Sequence, residues 1–296
     1  MGLHAGEPEV DAALVRRLLR GRFPHWAERD LVTVGSAGTS NQMYRLGPDL
    51  VVRLPRTEGA ARDIAAEHHW LPRLAPALPV AVPEPVGLGE PAEGFPWAWS
   101  VYRWLPGRTA TPDAIAEPDR LARDLGAFLT VLRGTDPAGA PPSFRSEPLT
   151  ARDPGTRENL ADVAAAGDLG TPADLRRAHA VWEAALAADP WPGPPVWLHA
   201  DLQPGNLLLH EGRLSAVIDF GCFGLGDPAV DLIAAWYVLP AASRALFRTS
   251  AGADDATWAR ARGWTLSIAL AELRYYRRTR PDMTATARRT IAALLG

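Results

Sequence analysis

The chain has 296 residues, 47% of them hydrophobic and 22% charged, a balance that excludes wholesale disorder and allows a core without disulfides or a structural metal. Every one of its 31 Lys-plus-Arg positions is arginine, which excludes lysine Schiff-base chemistry and the lysine-bearing G-x-x-x-x-G-K-[ST] phosphate loop. A net charge of −3, a single Cys222 and no 18-residue apolar run argue against a nucleic-acid footprint, an internal disulfide or Cys-rich zinc site, and a membrane span.

In chain order, Val10, Ala13, Leu14 and Leu18 predict a helix over 9–22. Short β-type runs follow at 31–34, 43–46 and 50–54, separated by a small polar turn at 35–41 and by Gly47-Pro48-Asp49. A helix is expected over 59–74 and strands over 82–88 and 97–104, which together make a small α+β region spanning 1–104. Beyond Leu105-Pro106-Gly107 the second region, 105–296, is dominated by helices over 117–133, 172–188, 228–238, 255–278 and 284–295. Its expected strands lie at 196–200, 206–209 and 214–219, and the Pro- and charge-rich stretch 135–158 reads as a surface loop. The first 30 residues lack a signal-peptide apolar core, so a cytoplasmic location is expected.

The block WLHADLQPGNLLLHEGRLSAVIDFGCFGLGDPAVDL, residues 197–232, carries the chemistry. It holds His199-x-Asp201-x-x-x-x-Asn206 and Asp219-Phe220-Gly221. A hard cation such as Mg2+ takes oxygen ligands, and Asn206 and Asp219 can supply an amide and a carboxylate oxygen. Asp201 and Asn206 flank a Pro204-Gly205 turn, so one loop can turn both into one pocket, where a carboxylate that binds no metal can accept a hydroxyl proton. That division of labour belongs to kinase-type phosphoryl transfer, and the two motifs fit the H-x-D-x-x-x-x-N and D-F-G pair.

HADLQPGN (199–206), IDFG (218–221) and GDPAVDL (226–232) resemble the aminoglycoside phosphotransferase family and related small-molecule kinases. The resemblance runs from VTVGSAGTSNQMYRL (32–46) through the C-terminal helices. It implies an α+β, two-lobed protein-kinase-like fold, with a small β-rich N-lobe for nucleotide and a larger, mainly helical C-lobe for catalysis and acceptor binding. It implies ATP, or GTP, together with Mg2+. By this resemblance Asp201 is the catalytic base or acceptor-orienting acid, Asn206 and Asp219 bind magnesium, and His199, Asp227 and Asp231 are structural supports.

On the nucleotide side, Gly35, Ser36, Gly38, Thr39 and Ser40 form a small polar turn between two β-type runs, suited to covering phosphates although it is not G-x-G-x-x-G. Protein kinases place a strand lysine against the phosphates. Here Arg53 stands at that position, and a guanidinium can clamp phosphate. Glu67, on the Ile64–Leu71 helix face, is its expected partner; surface pairing of Arg53 with Asp49 or Glu58 is the alternative. Main-chain groups near Tyr102 and Trp104, at the end of the last N-lobe strand, would meet the adenine.

Only seven residues separate Asp219 from Asp227, too few for a peptide-binding activation segment, and Gln203 replaces the usual protein-kinase lysine. The expected partner is a small-molecule hydroxyl acceptor, with no nucleic acid and no membrane. Residues 224–296 hold six acids against ten arginines, which weighs against a polycationic aminoglycoside and leaves a macrolide, a peptide antibiotic or a metabolite alcohol open. A non-catalytic nucleotide-binding module and a metal hydrolase built on His199, Asp201 and Asp219 are the rival classes.

Overall fold

The structure, a computed structural model, describes residues 7–35 and 40–296. The chain divides into two compact units, one reaching Pro106 and taking in Val217–Gly221, the other made of Gly107–Ala216 and Cys222–Gly296.

The first unit begins with α1 (Ala12–Arg22), whose first turn is capped by Asp11 accepting the Leu14 N–H at 2.7 Å. Strands β1 (Leu31–Thr33), β2 (Asn41–Leu46) and β3 (Leu50–Pro55), helix α2 (Glu58–Leu74), and strands β4 (Pro85–Gly89) and β5 (Trp99–Arg103) follow. The strands form one antiparallel sheet in the order β1-β2-β3-β5-β4. Central β3 is buried along its whole length, and the two-residue alternation of a strand divides it. Leu50, Val52 and Leu54 join Trp99, Val101 and the apolar face of α1 in one core cluster, while Val51 and Arg53 project from the opposite face. Helix α2 starts at Thr57, whose hydroxyl accepts the Ala60 N–H at 3.3 Å, and buries Ile64, Glu67, Leu71 and Leu74 at helical spacing. One member of that buried stripe is a carboxylate, and Arg53 is the cation it meets.

The second unit contains β6 (Arg108–Thr109), α3 (Pro118–Arg133), α4 (Asp153–Ala165), α5 (Pro172–Ala187), β7 (Val196–Leu198), β8 (Leu207–His210), β9 (Arg213–Val217), β10 (Gly224–Gly226), α6 (Ala234–Tyr237), α7 (Ala241–Ser250), α8 (Asp255–Tyr276) and α9 (Pro281–Leu295). Helix α8 is its spine, buried through most of its middle, with Trp264, Leu266, Ile268 and Leu270 in the core. Strands β6, β8 and β9 make a three-stranded sheet, and β7 pairs with β10. The architecture is the expected α+β, kinase-like one, a β-rich N-lobe and a larger, mainly helical C-lobe.

Three local readings need correction. The loop expected over 135–158 gives way to a 3₁₀ turn at Leu149–Arg152 and then to α4. Asp153-Pro154-Gly155 looks like a turn, yet proline suits the first turn of a helix, where no N–H partner is needed. Only Thr156, Leu160 and Val163 of α4 are buried, too sparse a stripe to reveal the helix in sequence. Helix α7 was hidden for the same reason, burying only Ser243 and Phe247. The single helix expected over 228–238 is a 3₁₀ turn, Val230–Ile233, followed by the short α6.

Candidate active site

In the first unit the polar chemistry gathers on the α2 side of β3. Arg53 is 7% exposed, and its Nη1 donates to Glu67 Oε2 at 2.8 Å. Tyr102 on β5 donates its hydroxyl to the same oxygen, and its ring centroid lies 5.0 Å from the guanidinium. Arg53 Nη2 stands 3.7 Å from Asp219 Oδ1. Asp219 has a φ of +64°, a left-handed conformation that non-glycine residues adopt at a cost. The segment carrying it is tied to this unit by the Val217 N–H, which donates to the Ala81 carbonyl at 3.0 Å.

Burial opposes the Arg53 charge, but Glu67, Tyr102 and Asp219 outweigh it and hold the guanidinium above its ordinary range. Burial pushes the Glu67 carboxyl up, with Arg53 and Tyr102 pulling it back. Asp63, one helical turn before Glu67, is pushed up to about 6, first by burial and then by the charges of Glu67 and Asp219. Three carboxylates thus surround one permanent cation.

Surface pairing of Arg53 does not occur: Asp49 pairs with Arg29 and Glu58 with Arg62, each at 2.6 Å. Ser40 accepts the Arg56 N–H through its carbonyl at 2.9 Å, and Gly35 has open space where a Cβ would stand. Ser36, Gly38 and Thr39 lie outside the described residues. Trp104 donates its N–H to the Asp49 carbonyl at 2.8 Å and packs its ring against Arg45, 4.1 Å from centroid to guanidinium.

In the second unit β7 runs into the loop at 199–206. His199 is fully buried, and its Nδ1 accepts the Asp201 N–H at 3.2 Å. Ala200 has a φ of +65°. That strained residue is braced on both sides. The fully buried Asp231 accepts the N–H groups of His199 at 3.1 Å and Ala200 at 2.6 Å, and Arg145 donates to the Ala200 carbonyl. Burial raises the Asp231 carboxyl, opposed by His199, Arg133 and those backbone donors. Asp227 accepts Arg260 Nε at 2.7 Å and the Ala229 N–H at 2.9 Å.

The Asp201 side chain stays 21% exposed, open to a partner from solvent. Its Oδ2 accepts Asn206 Nδ2 at 2.9 Å; its Oδ1 accepts Gln203 Nε2 at 3.2 Å and lies 3.3 Å from Arg145 Nη1. Asn206 Nδ2 also donates to the Asp201 carbonyl at 2.8 Å, so both donations of the amide nitrogen are directed at Asp201. Gln203 Nε2 reaches Glu272 Oε1 on α8 at 2.5 Å, and Tyr237 on α6 donates to Glu272 Oε2 at 2.7 Å. Burial, followed by the Asp201 charge, pushes Glu272 up to about 7.

Arg145 comes to Asp201 because the chain at 141–146 is stitched along the segment at 222–226. Ser143 donates through Oγ to the Cys222 carbonyl at 2.8 Å and through N–H to the Leu225 carbonyl at 2.9 Å; Leu225 N–H donates to the Pro141 carbonyl at 2.8 Å. Gly224, with φ +143°, permits this approach, since a Cβ there would stand 2.6 Å from Ser143 N. Burial works against the Arg145 charge, and Asp201, Cys222, Glu272 and Tyr237 more than restore it.

The family model described as the Phosphotransferase enzyme family matches residues 32–264. The chain belongs to that family. No curated protein sequence matches it. Among solved structures, the GDP complex of wild-type aminoglycoside 2'-phosphotransferase-IIIa aligns with a TM-score of 0.75 at 18% identity, covering 96% of this chain and 99% of that one. The ternary complex of APH(2")-IIa with streptomycin and ATP gives a TM-score of 0.61 at 15% identity, covering 96% and 97%. The apoenzyme of macrolide 2'-phosphotransferase MphH from Brachybacterium faecium gives 0.60 at 25% identity, covering 97% and 98%. These structures share the fold.

Two features of this phosphotransferase-family chain bear on a metal. Asp219 in the first unit and Asn206 in the second each carry an oxygen donor of the kind Mg2+ takes, and within the first unit the carboxylate excess around Arg53 favours added positive charge. His199 does not offer itself as a ligand, being fully buried with Nδ1 already accepting, so the hydrolase alternative loses one of its three groups. Among the described residues no group of three or more His, Cys, Asp or Glu is arranged to hold a metal, whereas a cation carried by nucleotide phosphates needs fewer protein ligands.

The six carboxylates of 224–296 all have partners within the chain. Asp227 pairs with Arg260, Asp255 with Arg248 and Asp282 with Arg280; Asp231 braces the 199–206 loop, Asp254 caps α8 and Glu272 accepts from Tyr237 and Gln203. Sequence reading missed Asp63, Arg145 and Tyr237 as members of these clusters. Asp63 was within reach, because it lies four residues before Glu67 on one helix face. Arg145 carries no such signal; its loop has no period, and only its hydrogen bonding to 222–226 gives it a place.

Proposed function

We propose that this protein is an ATP- and Mg2+-dependent phosphotransferase acting on a hydroxyl of a small molecule. The observation that carries the reading is Asp201, a partly exposed carboxylate on a braced, strained loop with both oxygens oriented by Asn206, Gln203 and Arg145.

In this reading residues 1–104 are the nucleotide-binding lobe and 105–296 the catalytic and acceptor-binding lobe. Arg53, aligned by Glu67 and Tyr102, clamps phosphate oxygens, and the small polar sequence from Gly35 to Ser40 is assigned to cover them. Main-chain groups near Tyr102 and Trp104 would meet the base of ATP, or of GTP; of these the Trp104 N–H is already donated to the Asp49 carbonyl. Asn206 and Asp219 would hold magnesium, whose charge would offset that of the phosphates. Asp201 accepts a hydrogen bond from the acceptor hydroxyl, aligns its oxygen, and takes the proton as the new O–P bond forms and the bond from the γ-phosphorus to the β,γ-bridging oxygen breaks, releasing ADP. Hydrogen bonds from Asn206 and Gln203 and the nearby Arg145 guanidinium fix the carboxylate's orientation toward the hydroxyl. His199 and Asp231 hold the 199–206 loop, and Asp227 fixes the start of the segment that carries Asp231.

Relatives of the same fold are named for aminoglycosides and macrolides, which makes antibiotics the first acceptors to test, with metabolite alcohols as the alternative. No helix among the described residues is long and apolar enough to cross a membrane, and the reading places the enzyme in the cytoplasm. The deciding experiment is a coupled ADP-release screen over antibiotics and metabolite alcohols, run with wild type and Asp201→Ala. Acceptor- and Mg2+-dependent ADP release that falls at least a hundredfold in Asp201→Ala, with nucleotide binding retained, supports the assignment. Nucleotide binding without turnover on any acceptor makes the chain a binding module, and phosphate-ester hydrolysis without ATP makes it a hydrolase.

A further inference from the structure

We infer that the acceptor is a hydroxyl compound that is uncharged or anionic around its reacting group, and that Arg145 is the residue that disfavours polycationic acceptors. The inference rests on the phosphotransferase reading and narrows its substrate class. It starts from Asp201, which meets the hydroxyl. Arg145 Nη1 lies 3.3 Å from Asp201 Oδ1, so the acceptor faces one half of an ion pair rather than a free carboxylate. The guanidinium cannot lose its charge. Nor can it swing away at no cost, because it also donates to the Ala200 carbonyl and its loop is stitched through Ser143 to Cys222 and Leu225.

The neighbouring carboxylate does not restore a negative field. Both oxygens of Glu272 accept internal hydrogen bonds, and its burial keeps it partly protonated near neutral pH. The other carboxylates of 224–296 are committed to arginines or to backbone N–H groups. A polycation normally needs a surplus of carboxylates to offset the loss of its own hydration. Here its ammonium groups would gain no such surplus and would approach a fixed positive charge instead. Repulsion at that range weakens binding by roughly tenfold per ammonium brought near the guanidinium.

The test uses wild type, Arg145→Gln and Arg145→Lys. Each is assayed for Mg2+- and ATP-dependent ADP release with kanamycin as the polycationic probe and with panels of uncharged and anionic polyols. Kanamycin affinity is measured by calorimetry with a non-hydrolysable ATP analogue present. Wild type is expected to turn over acceptors from the uncharged or anionic panels and not kanamycin. Kanamycin affinity is expected to rise about tenfold in Arg145→Gln and to stay at the wild-type level in Arg145→Lys, a pattern that a purely structural role for Arg145 would not produce. A wild type whose best acceptor is the polycation overturns the inference while leaving the phosphotransferase reading intact. Equal kanamycin affinity in wild type and a folded Arg145→Gln also overturns it. Should Arg145→Gln not fold, the wild-type acceptor ranking decides alone. Absence of ATP consumption with every acceptor defeats the phosphotransferase reading, and the calorimetry still decides whether the Arg145 charge repels cations.

Discussion

The Arg53 guanidinium and the Glu67 carboxylate meet at 2.8 Å inside the first unit, with side chains 9% and 0% exposed. A pair this deeply buried adds little net stability when intact, because desolvation offsets the attraction, but removing one partner strands the other. Glu67→Ala should therefore cost about 3–5 kcal/mol, read as a lower urea midpoint at unchanged m-value. A loss below about 1 kcal/mol would mean that Asp63 or Asp219 has taken over the guanidinium.

The fork of the guanidinium does two jobs, Nη1 holding Glu67 and Nη2 lying 3.7 Å from Asp219. Lysine has one nitrogen for both. Arg53→Lys should lower ATP affinity by about tenfold or more in fluorescence or calorimetric titration. Unchanged affinity would reduce the arginine to a consequence of the chain's lysine-free composition.

Gly224→Ala would place a Cβ 2.6 Å from Ser143 N at a φ of +143°. The loop at 141–146 must then shift and take Arg145 with it. The expected result is a stability loss of about 1–3 kcal/mol and a fall in kcat greater than the change in nucleotide affinity. Equal kcat in variant and wild type would separate the Asp201 geometry from this loop.

Glu272 binds its proton up to about pH 7 when folded, against 4.5 for the free side chain. Because the folded-state value is raised, the associated stabilisation is fully present below about 4.5 and is lost as the pH rises through about 7. Glu272→Gln does not titrate, so wild-type stability relative to this variant should fall by on the order of 2–3 kcal/mol between pH 4.5 and pH 8. Parallel urea titrations at several pH values measure it, and a constant difference would show that Glu272 ionises normally.

The two motifs at 199–206 and 219–221 were legible from spacing alone because each lies within a few consecutive residues, and local chain geometry limits where Asp201 and Asn206 can go. The Arg53–Glu67 pair was legible for a related reason: strand alternation and helical spacing made each an inward-facing charge in need of a partner. Helix α4 and the Arg145 loop were not legible. Their proline and charge obscure any period, and they are stabilised by contact with distant segments.

By itself, the sequence determined that this chain is an α+β kinase-like protein with an Asp-Asn loop, an Asp-Phe-Gly element and arginine in place of every lysine. The tertiary structure alone decided that Asp201 has a cation for a neighbour and that Glu272 and Tyr237 stand behind Gln203. Periodicity reports which face of an element is buried, and motifs report which donors lie close along the chain. Neither reports a contact between Arg145 and Asp201, because that distance depends on Gly224 admitting a separate loop and on the backbone hydrogen bonds that hold it there.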